Sequence, residues 1–191
     1  MANNPQCQER AQREIDAVVG ADRLPSFEDR KAMPYVEAIY REVMRWHPAI
    51  PLGVPHVLTE DDTYNGYHLP QGCTISANIW AMTHDERVYA EPYRFKPERF
   101  FDADGKLNND DAVLAFGFGR RICVGKHFAE AALWLTIASV LTRFKISREK
   151  DAQGNEIEIP EAYSDGPGQF SYPLPFRCSI SPRNTEVVLL A

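Results

Sequence analysis

One segment of this chain limits its possible folds more than any other. Residues 126–144, KHFAEAALWLTIASVLTRF, predict a single long helix. From Ala131 to Leu141 the segment is apolar almost all round, and a helix of this kind is normally buried on every side. The rest of the chain offers two amphipathic helices and a few strands, which supply too little surface to cover it. We therefore expect the chain to be part of something larger.

The remaining elements are predicted to be short. Residues 5–19 and 34–46 carry apolar side chains at helical spacing, and a short helix is expected over 79–83. Residues 51–78 are typical of strands, with Asn65-Gly66 as a hairpin signal, and so are the tail segments FKIS, EIEI and RCSIS. Because helices and strands do not alternate one by one, the order favours an α+β fold.

Composition excludes several classes of protein. The chain has 191 residues and a formal net charge of −6, which argues against nucleic acid as a partner. It contains no signal peptide and no apolar run long enough to cross a membrane, so the chain as given is expected to be cytosolic. The four cysteines are far apart and form no CxxC pair, which argues against a zinc site and a disulfide framework: Cys7, Cys73, Cys123 and Cys178.

A glycine-rich, positively charged loop surrounds one of these cysteines. In FGFGRRICVGK, residues 116–126, a thiolate at Cys123 would be a soft ligand suited to iron. Arg120, Arg121 and Lys126 supply positive charge in sequence, and a helix begins near Gly125. Both features favour the thiolate over the thiol.

The glycines of this loop would allow the backbone to bend sharply and to approach a flat ligand closely. Backbone N–H groups could then donate to the sulfur, and Phe116 could shield one side of it from water. The residues alone leave other interpretations open, namely a buried structural cysteine or a cysteine nucleophile. A phosphate-binding loop is less favoured, because the segment matches neither GxxxxGK[ST] nor GxGxxG.

The loop resembles the haem-binding signature of the cytochrome P450 family, FGxGxRxCxG. The matching positions are Phe116, Gly117, Gly119, Arg121, Cys123 and Gly125. Glu42 to Arg45, followed by His47-Pro48, resembles the ExxR motif of that family, and Lys96 to Phe100, KPERF, resembles its PERF segment. The three motifs occur in the family's order and at its rough spacing. The likeness is to fungal, microsomal-type members and extends from about residue 5 to about residue 182.

The resemblance implies that residues 1–191 are a single partial domain, with no separate second domain. It would be the mainly helical C-terminal, haem-binding portion of the P450 fold with small β-sheets. The implied cofactor is haem (heme b, iron protoporphyrin IX), with Cys123 as the axial thiolate and metal ligand. Arg121 and His56 are implied as partners of the haem propionates, and Phe116, Gly117, Gly119 and Gly125 complete the implied cofactor-binding set.

The resemblance also implies that Glu42, Arg45 and Arg99 form a buried cluster that braces the haem core. Helical periodicity disagrees with this. At about 100° per residue, the apolar stripe of the helix over 34–46 leaves Glu42 and Arg45 on the side expected to face solvent. Another departure is Val124, where fungal relatives often have proline.

The implied activity is that of a haem-thiolate monooxygenase acting on a small organic substrate. Electrons would come from NADPH-cytochrome P450 reductase, docked on the Cys123 side, and family members are usually anchored to the endoplasmic reticulum membrane. Because members are more than twice this long, Met1 would be an internal methionine or a gene-model start. The alternatives are a truncated, catalytically inactive remnant or partner-binding piece, and a cysteine-nucleophile enzyme, for which His127 is a poor candidate base.

Overall fold

The computed structural model describes residues 1–20, 22–111, 113–164 and 170–183. Within these ranges the α-helices are α1 Pro5–Val19, α2 Pro34–Trp46, α3 Ile79–Thr83 and α4 Lys126–Arg143. The strands are β1 His56–Val57, β2 Asp62–Tyr64, β3 Tyr67–Leu69, β4 Thr74–Ile75, β5 Phe144–Arg148 and β6 Cys178–Pro182. Short 3₁₀ helices cover Phe27–Ala32, Pro97–Phe100, Val113–Phe116 and Gly119–Arg121. This mixture confirms the predicted α+β class.

The strands form separate two-stranded antiparallel sheets. β1 pairs with β4, and β2 pairs with β3. The turn between β2 and β3 is Asn65-Gly66, where both residues have positive φ, 48° and 82°. This is the hairpin turn that the Asn-Gly signal predicted. In the tail, FKIS and RCSIS pair as β5 and β6, with Ile146 opposite Ile180.

The EIEI segment, residues 156–159, was predicted as a strand, and that prediction is wrong. The structure has only an isolated bridge between Lys150 and Glu156 there. The carboxylate of Asp151 accepts a hydrogen bond from the Asn155 backbone at 2.8 Å, which closes a turn directly before the segment. A local side-chain-to-backbone bond of this kind competes with strand pairing.

The core lies where α1, α2 and α4 meet. Each helix contributes residues without solvent exposure to one cluster, which includes Ala11, Ile15, Val36, Ile39, Trp134 and Ala138. The start of α2 is capped by a side chain of α1, because the Glu14 carboxylate accepts the backbone N–H groups of Tyr35 and Val36 at 2.9 Å. Capping of the free N–H groups fixes the angle at which α2 leaves the preceding turn.

Two glutamines of α1 hold the C-terminal end of α4 and the strand that follows it. The Gln8 side chain donates to the Ile146 carbonyl and accepts from the Ile146 N–H, both at 2.8 Å. Gln12 donates to the carbonyls of Leu141 at 3.2 Å and Phe144 at 3.0 Å. Both glutamines are buried, so α1 supplies partners for backbone groups of β5 that do not pair with β6.

Within the described residues the helix α4 is not buried on every side, which agrees with the expectation that this chain supplies too little surface to cover it. Its buried residues are Trp134, Ala138, Leu141 and Thr142. On another side, Phe128 has 82 % of its surface exposed and Leu133 has 40 %. The described residues therefore cover one face of an all-round apolar helix and leave another open.

An apolar groove of about 590 Å³ lies between α2 and α4. Its walls include Val43, Trp46, Phe95, Ile137, Val140 and Tyr163. None of the helices in the described ranges is both long enough and apolar enough to span a membrane.

Candidate functional site

The cysteine loop lies between the 3₁₀ helix Val113–Phe116 and the start of α4. The Cys123 N–H donates to the Phe116 carbonyl at 2.8 Å, and the Lys126 N–H donates to the Cys123 carbonyl at 3.2 Å. These two bonds close the loop on one side of Cys123 and a tight turn on the other. The thiol is therefore held directly in front of the first turn of α4, whose N-cap is Gly125.

Two glycines of the loop are required by their backbone angles. Gly117 has φ 80° and Gly119 has φ 56°, a region in which a side chain is strained. A Cβ atom at Gly119 would have no other atom within 4 Å, so crowding by this chain is not the reason for glycine there. Gly125 differs: it lies in the tight turn between Cys123 and Lys126, but its φ of −84° is one that other residues also adopt.

The surroundings of Cys123 are apolar and open. Cys123 itself is exposed, Phe118 and Ile122 are 43 % and 40 % exposed, and Val124 is fully exposed. Phe116 is partly buried. Apolar side chains grouped around a free thiol on a surface are typical of a site that an apolar group covers.

The charges around the thiol differ from the predicted set. Lys126 was expected to add positive charge beside Cys123, but its ammonium lies 3.3 Å from Glu130 and 4.0 Å from Asp111. Its charge is thus largely offset. Arg120 and Arg121 are exposed, and neither forms an ion pair within the described part of the chain. These two arginines and the start of α4 remain as the positive environment of the loop.

No histidine is placed to activate the cysteine. His56 lies on β1 and is exposed, with no side-chain hydrogen bond to any described residue. His127 is 90 % exposed, and its nearest ionic partner is Glu130 at 3.6 Å. A cysteine nucleophile needs a base within hydrogen-bonding reach. The described residues do not provide that base, which counts against the nucleophile interpretation.

A buried ionic cluster lies near the C-terminal end of α2. The Glu42 carboxylate accepts Nε of Arg45 at 2.7 Å and Nε of Arg99 at 3.1 Å. It also accepts the Lys96 backbone N–H at 2.7 Å. The side chains of Glu42 and Arg45 have no solvent exposure, and Arg99 has 7 %. The expectation from helical periodicity, that Glu42 and Arg45 face solvent, is therefore wrong.

The burial has a specific cause in the segment from Thr83 to Arg99, which crosses over α2. Arg45 donates to the carbonyls of Thr83 at 2.8 Å and Pro92 at 2.9 Å. Arg99 donates to three further carbonyls of the same segment, those of Ala90, Glu91 and Arg94. Periodicity describes only the helix itself, so it contains no information about a covering segment that brings its own hydrogen-bond acceptors.

Two histidines near this cluster were not singled out by the sequence analysis. His84 stacks on Trp80 with ring centroids 3.7 Å apart, and His47 stacks on Tyr163 at 3.3 Å. The Nε2 atom of His47 lies 2.9 Å from the Ser171 hydroxyl oxygen. Burial lowers the pKa of both histidines, so both favour the neutral form. In the sequence, His47 was noted only as part of the His47-Pro48 dipeptide that follows the ExxR-like motif, and His84 was not noted at all.

The donor set fits a metal that arrives inside a flat, apolar cofactor. No group of three or more His, Cys, Asp or Glu residues within the described ranges could hold a metal ion by itself. What the loop does present is one exposed thiol, an apolar surround and two unpaired guanidinium groups. Haem needs these features, since its porphyrin supplies four ligands and its propionates bind cations.

Comparisons with known proteins identify the family of the chain. The sequence model of the family described as Cytochrome P450 matches residues 1–171. The chain is 45% identical over 184 residues to "Cytochrome P450 monooxygenase 98" of Postia placenta, covering 95% of this chain and 35% of that protein.

Two relatives from Ampulloclitocybe clavipes show a similar likeness. Cytochrome P450 monooxygenase claR is 46% identical over 183 residues, which is 95% of this chain and 34% of that protein. Cytochrome P450 monooxygenase claT is 46% identical over 193 residues, which is 100% of this chain and 38% of that protein. The chain thus spans about a third of the length of the curated relatives it matches.

Proposed function

Because this chain belongs to the cytochrome P450 family, we propose that it is the haem-thiolate portion of a fungal-type monooxygenase, with Cys123 as the proximal ligand of haem iron. The observation that carries the proposal is the placement of a single exposed thiol in front of α4. Closure of the loop by the bond from Cys123 to Phe116, 2.8 Å long, leaves that thiol on the surface.

When bound, haem supplies the reduction of O₂ and insertion of one oxygen atom into a substrate, RH + O₂ + 2e⁻ + 2H⁺ → ROH + H₂O. A thiolate at Cys123 would hold the iron and donate electron density to it. The N–H groups of Val124 and Gly125 have no acceptor among the described residues, which leaves them free to donate toward the sulfur. Donation to the sulfur would tune its basicity.

Other residues of the loop bind and orient the cofactor in this proposal. Arg121 pairs with a haem propionate, since a guanidinium makes charge-assisted hydrogen bonds to a carboxylate. His56 is the second propionate partner. The left-handed Gly117 and Gly119 leave space for a close approach of the macrocycle. Phe116 limits the access of water.

The Glu42–Arg45–Arg99 cluster acts as a brace. It ties the segment from Thr83 to Arg99 onto α2, because Arg45 donates to the Thr83 and Pro92 carbonyls and Arg99 donates to the Glu42 carboxylate. This keeps α2 and its partners fixed while the loop holds the cofactor.

The proposed substrate is a small organic molecule. NADPH-cytochrome P450 reductase is the proposed electron donor, and the proposed location is the endoplasmic reticulum membrane.

Reduced-CO difference spectroscopy of the purified chain, titrated with haem, tests the proposal. We expect the red-shifted Soret band from which the family takes its number, and its loss in Cys123→Ala. Cys73→Ala is the matched control, because Cys73 lies on a different loop, and it should keep the band. Absence of haem uptake by a folded chain would contradict the assignment.

A second candidate, an inactive remnant or partner-binding piece, is favoured by one observation. The open face of α4, with Phe128 82 % exposed, is unusual for a chain that works alone. Size-exclusion chromatography with haem separates the two: a remnant stays associated or aggregated and takes up no haem, whereas the haem portion gives a defined species that contains it.

A further inference from the structure

Lys126 binds carboxylates on both sides of the cysteine loop. Its ammonium lies 3.3 Å from Glu130, one turn further along α4, and 4.0 Å from Asp111, which precedes the loop. Only 16 % of the Lys126 side chain and 18 % of the Glu130 side chain are exposed. The pair with Glu130 is therefore screened less than a surface pair, whereas the Asp111 side chain is 56 % exposed.

The segment on the Asp111 side is itself anchored. Arg41 of α2 donates to the carbonyls of Asn108 at 2.9 Å and Asp110 at 2.8 Å. The 3₁₀ helix Val113–Phe116 then packs against α2 and α3. A contact from Lys126 to Asp111 therefore connects the end of the loop to a part of the chain that is fixed on α2.

The side chains of the loop make no comparable contact with the rest of the described structure. Among the described residues, no side chain between 117 and 125 makes a hydrogen bond or an ion pair. Lys126 follows this stretch directly, and its N–H donates to the Cys123 carbonyl at 3.2 Å. One residue thus joins the Cys123 backbone, the first turn of α4 and the segment before the loop.

We propose that Lys126 is a positioning residue that fixes the Cys123 loop and so determines how the thiol meets the haem. The part of the proposal that concerns haem rests on the proposed function, whereas the part that concerns the loop does not. It replaces the electrostatic role expected from the sequence with a geometric one. Without the ammonium, Glu130 loses its ion pair at 3.3 Å, and the end of the loop is released from Asp111.

Two variants separate charge from side-chain volume. Lys126→Met removes the ammonium and keeps most of the stem, and Lys126→Arg keeps a cation. Lys31→Met is the control, because Lys31 is exposed and lies on a different 3₁₀ helix. In the haem-free chain, we expect hydrogen exchange of the Cys123 amide to be about tenfold faster in Lys126→Met, equivalent to about 1.4 kcal/mol. Lys126→Arg and Lys31→Met should stay close to the parent chain.

The second readout is the reduced-CO spectrum. Lys126→Met should bind haem about tenfold more weakly and show a smaller share of the thiolate-type band, with recovery in Lys126→Arg. If Lys126→Met equals the parent chain in exchange and in spectrum, the inference is overturned while the proposed function stands. If the parent chain takes up no haem, the proposed function fails, and the exchange experiment still decides whether Lys126 fixes the loop.

A general loss of folding in Lys126→Met is recognised by faster exchange in α1 and α2 as well. In that case the pair with Glu130 is tested by a double-mutant cycle with Glu130→Gln and Lys126→Gln, measured by exchange at the Cys123 amide. Effects of the two changes that are clearly less than additive support the tie. Additive effects overturn it.

Discussion

The guanidinium of Arg45 lies 2.7 Å from the carboxylate of Glu42, and neither side chain is exposed to solvent. Both residues belong to α2, one turn apart, yet the pair is completed from outside that helix. Arg99 binds the same carboxylate at 3.1 Å. One negative charge therefore serves two buried or nearly buried positive charges, and carbonyls of a crossing segment accept further N–H groups of both arginines.

Glu42→Gln should destabilise the chain strongly. The substitution leaves two guanidinium groups without their carboxylate in a buried site, and breaking a buried ion pair costs about 3–5 kcal/mol. Chemical denaturation followed by circular dichroism measures the free energy of unfolding. Glu91→Gln is the control, since the side chain of Glu91 is 50 % exposed in its pairs with Arg94 and Lys96. Its effect should be much smaller, because solvent screens an exposed ion pair.

An equal effect of the two substitutions would contradict the brace. It would mean that the buried cluster contributes no more to folding than an exposed pair. Arg45→Lys adds a further check, because lysine keeps the charge but cannot reproduce the paired bonds of a guanidinium. We expect it to be destabilising as well.

The sequence predicted the helices better than it predicted their surroundings. Apolar spacing located α1, α2 and α3 with the bounds that the structure has. The same spacing wrongly placed Glu42 and Arg45 toward solvent, because the covering segment is about 40–55 residues distant in the chain. Spacing within one helix cannot report a contact of that kind.

At the site too, the sequence predicted the features that depend on neighbouring residues and missed a contact between distant ones. The positive φ values of Gly117 and Gly119 follow from local sequence, and so does the start of α4 after Gly125. The partners of Lys126 do not, because Asp111 approaches it from the far side of the loop. The positive charge of Lys126, which was expected to stabilise a thiolate at Cys123, is instead paired with the carboxylates of Glu130 and Asp111.

Two aromatic residues of α4 should respond very differently to truncation. Trp134 has no solvent exposure, and Trp134→Ala is expected to cost about 3–5 kcal/mol in free energy of unfolding. Phe128 is 82 % exposed, and Phe128→Ala should change it by less than about 0.5 kcal/mol. Denaturant unfolding of both variants measures the difference.

Trp134→Phe refines this comparison. The indole N–H of Trp134 has no hydrogen-bond partner among the described residues, so phenylalanine removes no bond. Phenylalanine is smaller than tryptophan, so the loss should reflect only the space that it leaves and should stay well below that of Trp134→Ala. A loss as large as that of Trp134→Ala would show that the N–H has a partner in solution, such as a buried water.

Acid should destabilise the region where His47 packs. Burial lowers the pKa of this imidazole in the folded chain, so the unfolded chain binds a proton at higher pH. The stabilisation is complete above the unfolded pKa of about 6.5 and is lost as the pH falls toward the folded value. The free energy of unfolding should therefore rise with pH between about 5 and 7.

His47→Gln should reduce this slope, and His68→Gln serves as the control because His68 is exposed on β3. Burial raises the pKa of Glu14, which acts in the opposite direction but at lower pH. Measurements above about pH 6 keep the two effects apart. An unchanged slope in His47→Gln would assign the pH dependence to other groups, among which His84 is the next to test.

Alkylation of the cysteines tests the accessibility of the site and its ligand together. Cys123 is exposed, whereas Cys7 is partly buried and burial raises its pKa, so Cys7 carries less reactive thiolate at neutral pH. Iodoacetamide in limiting amount should therefore modify Cys123 several-fold faster than Cys7, as measured by mass spectrometry of the digested chain. Addition of haem should protect Cys123 and leave the rate at Cys7 unchanged. Equal protection of both would indicate a general change in folding, and no protection of Cys123 would contradict ligation by its sulfur.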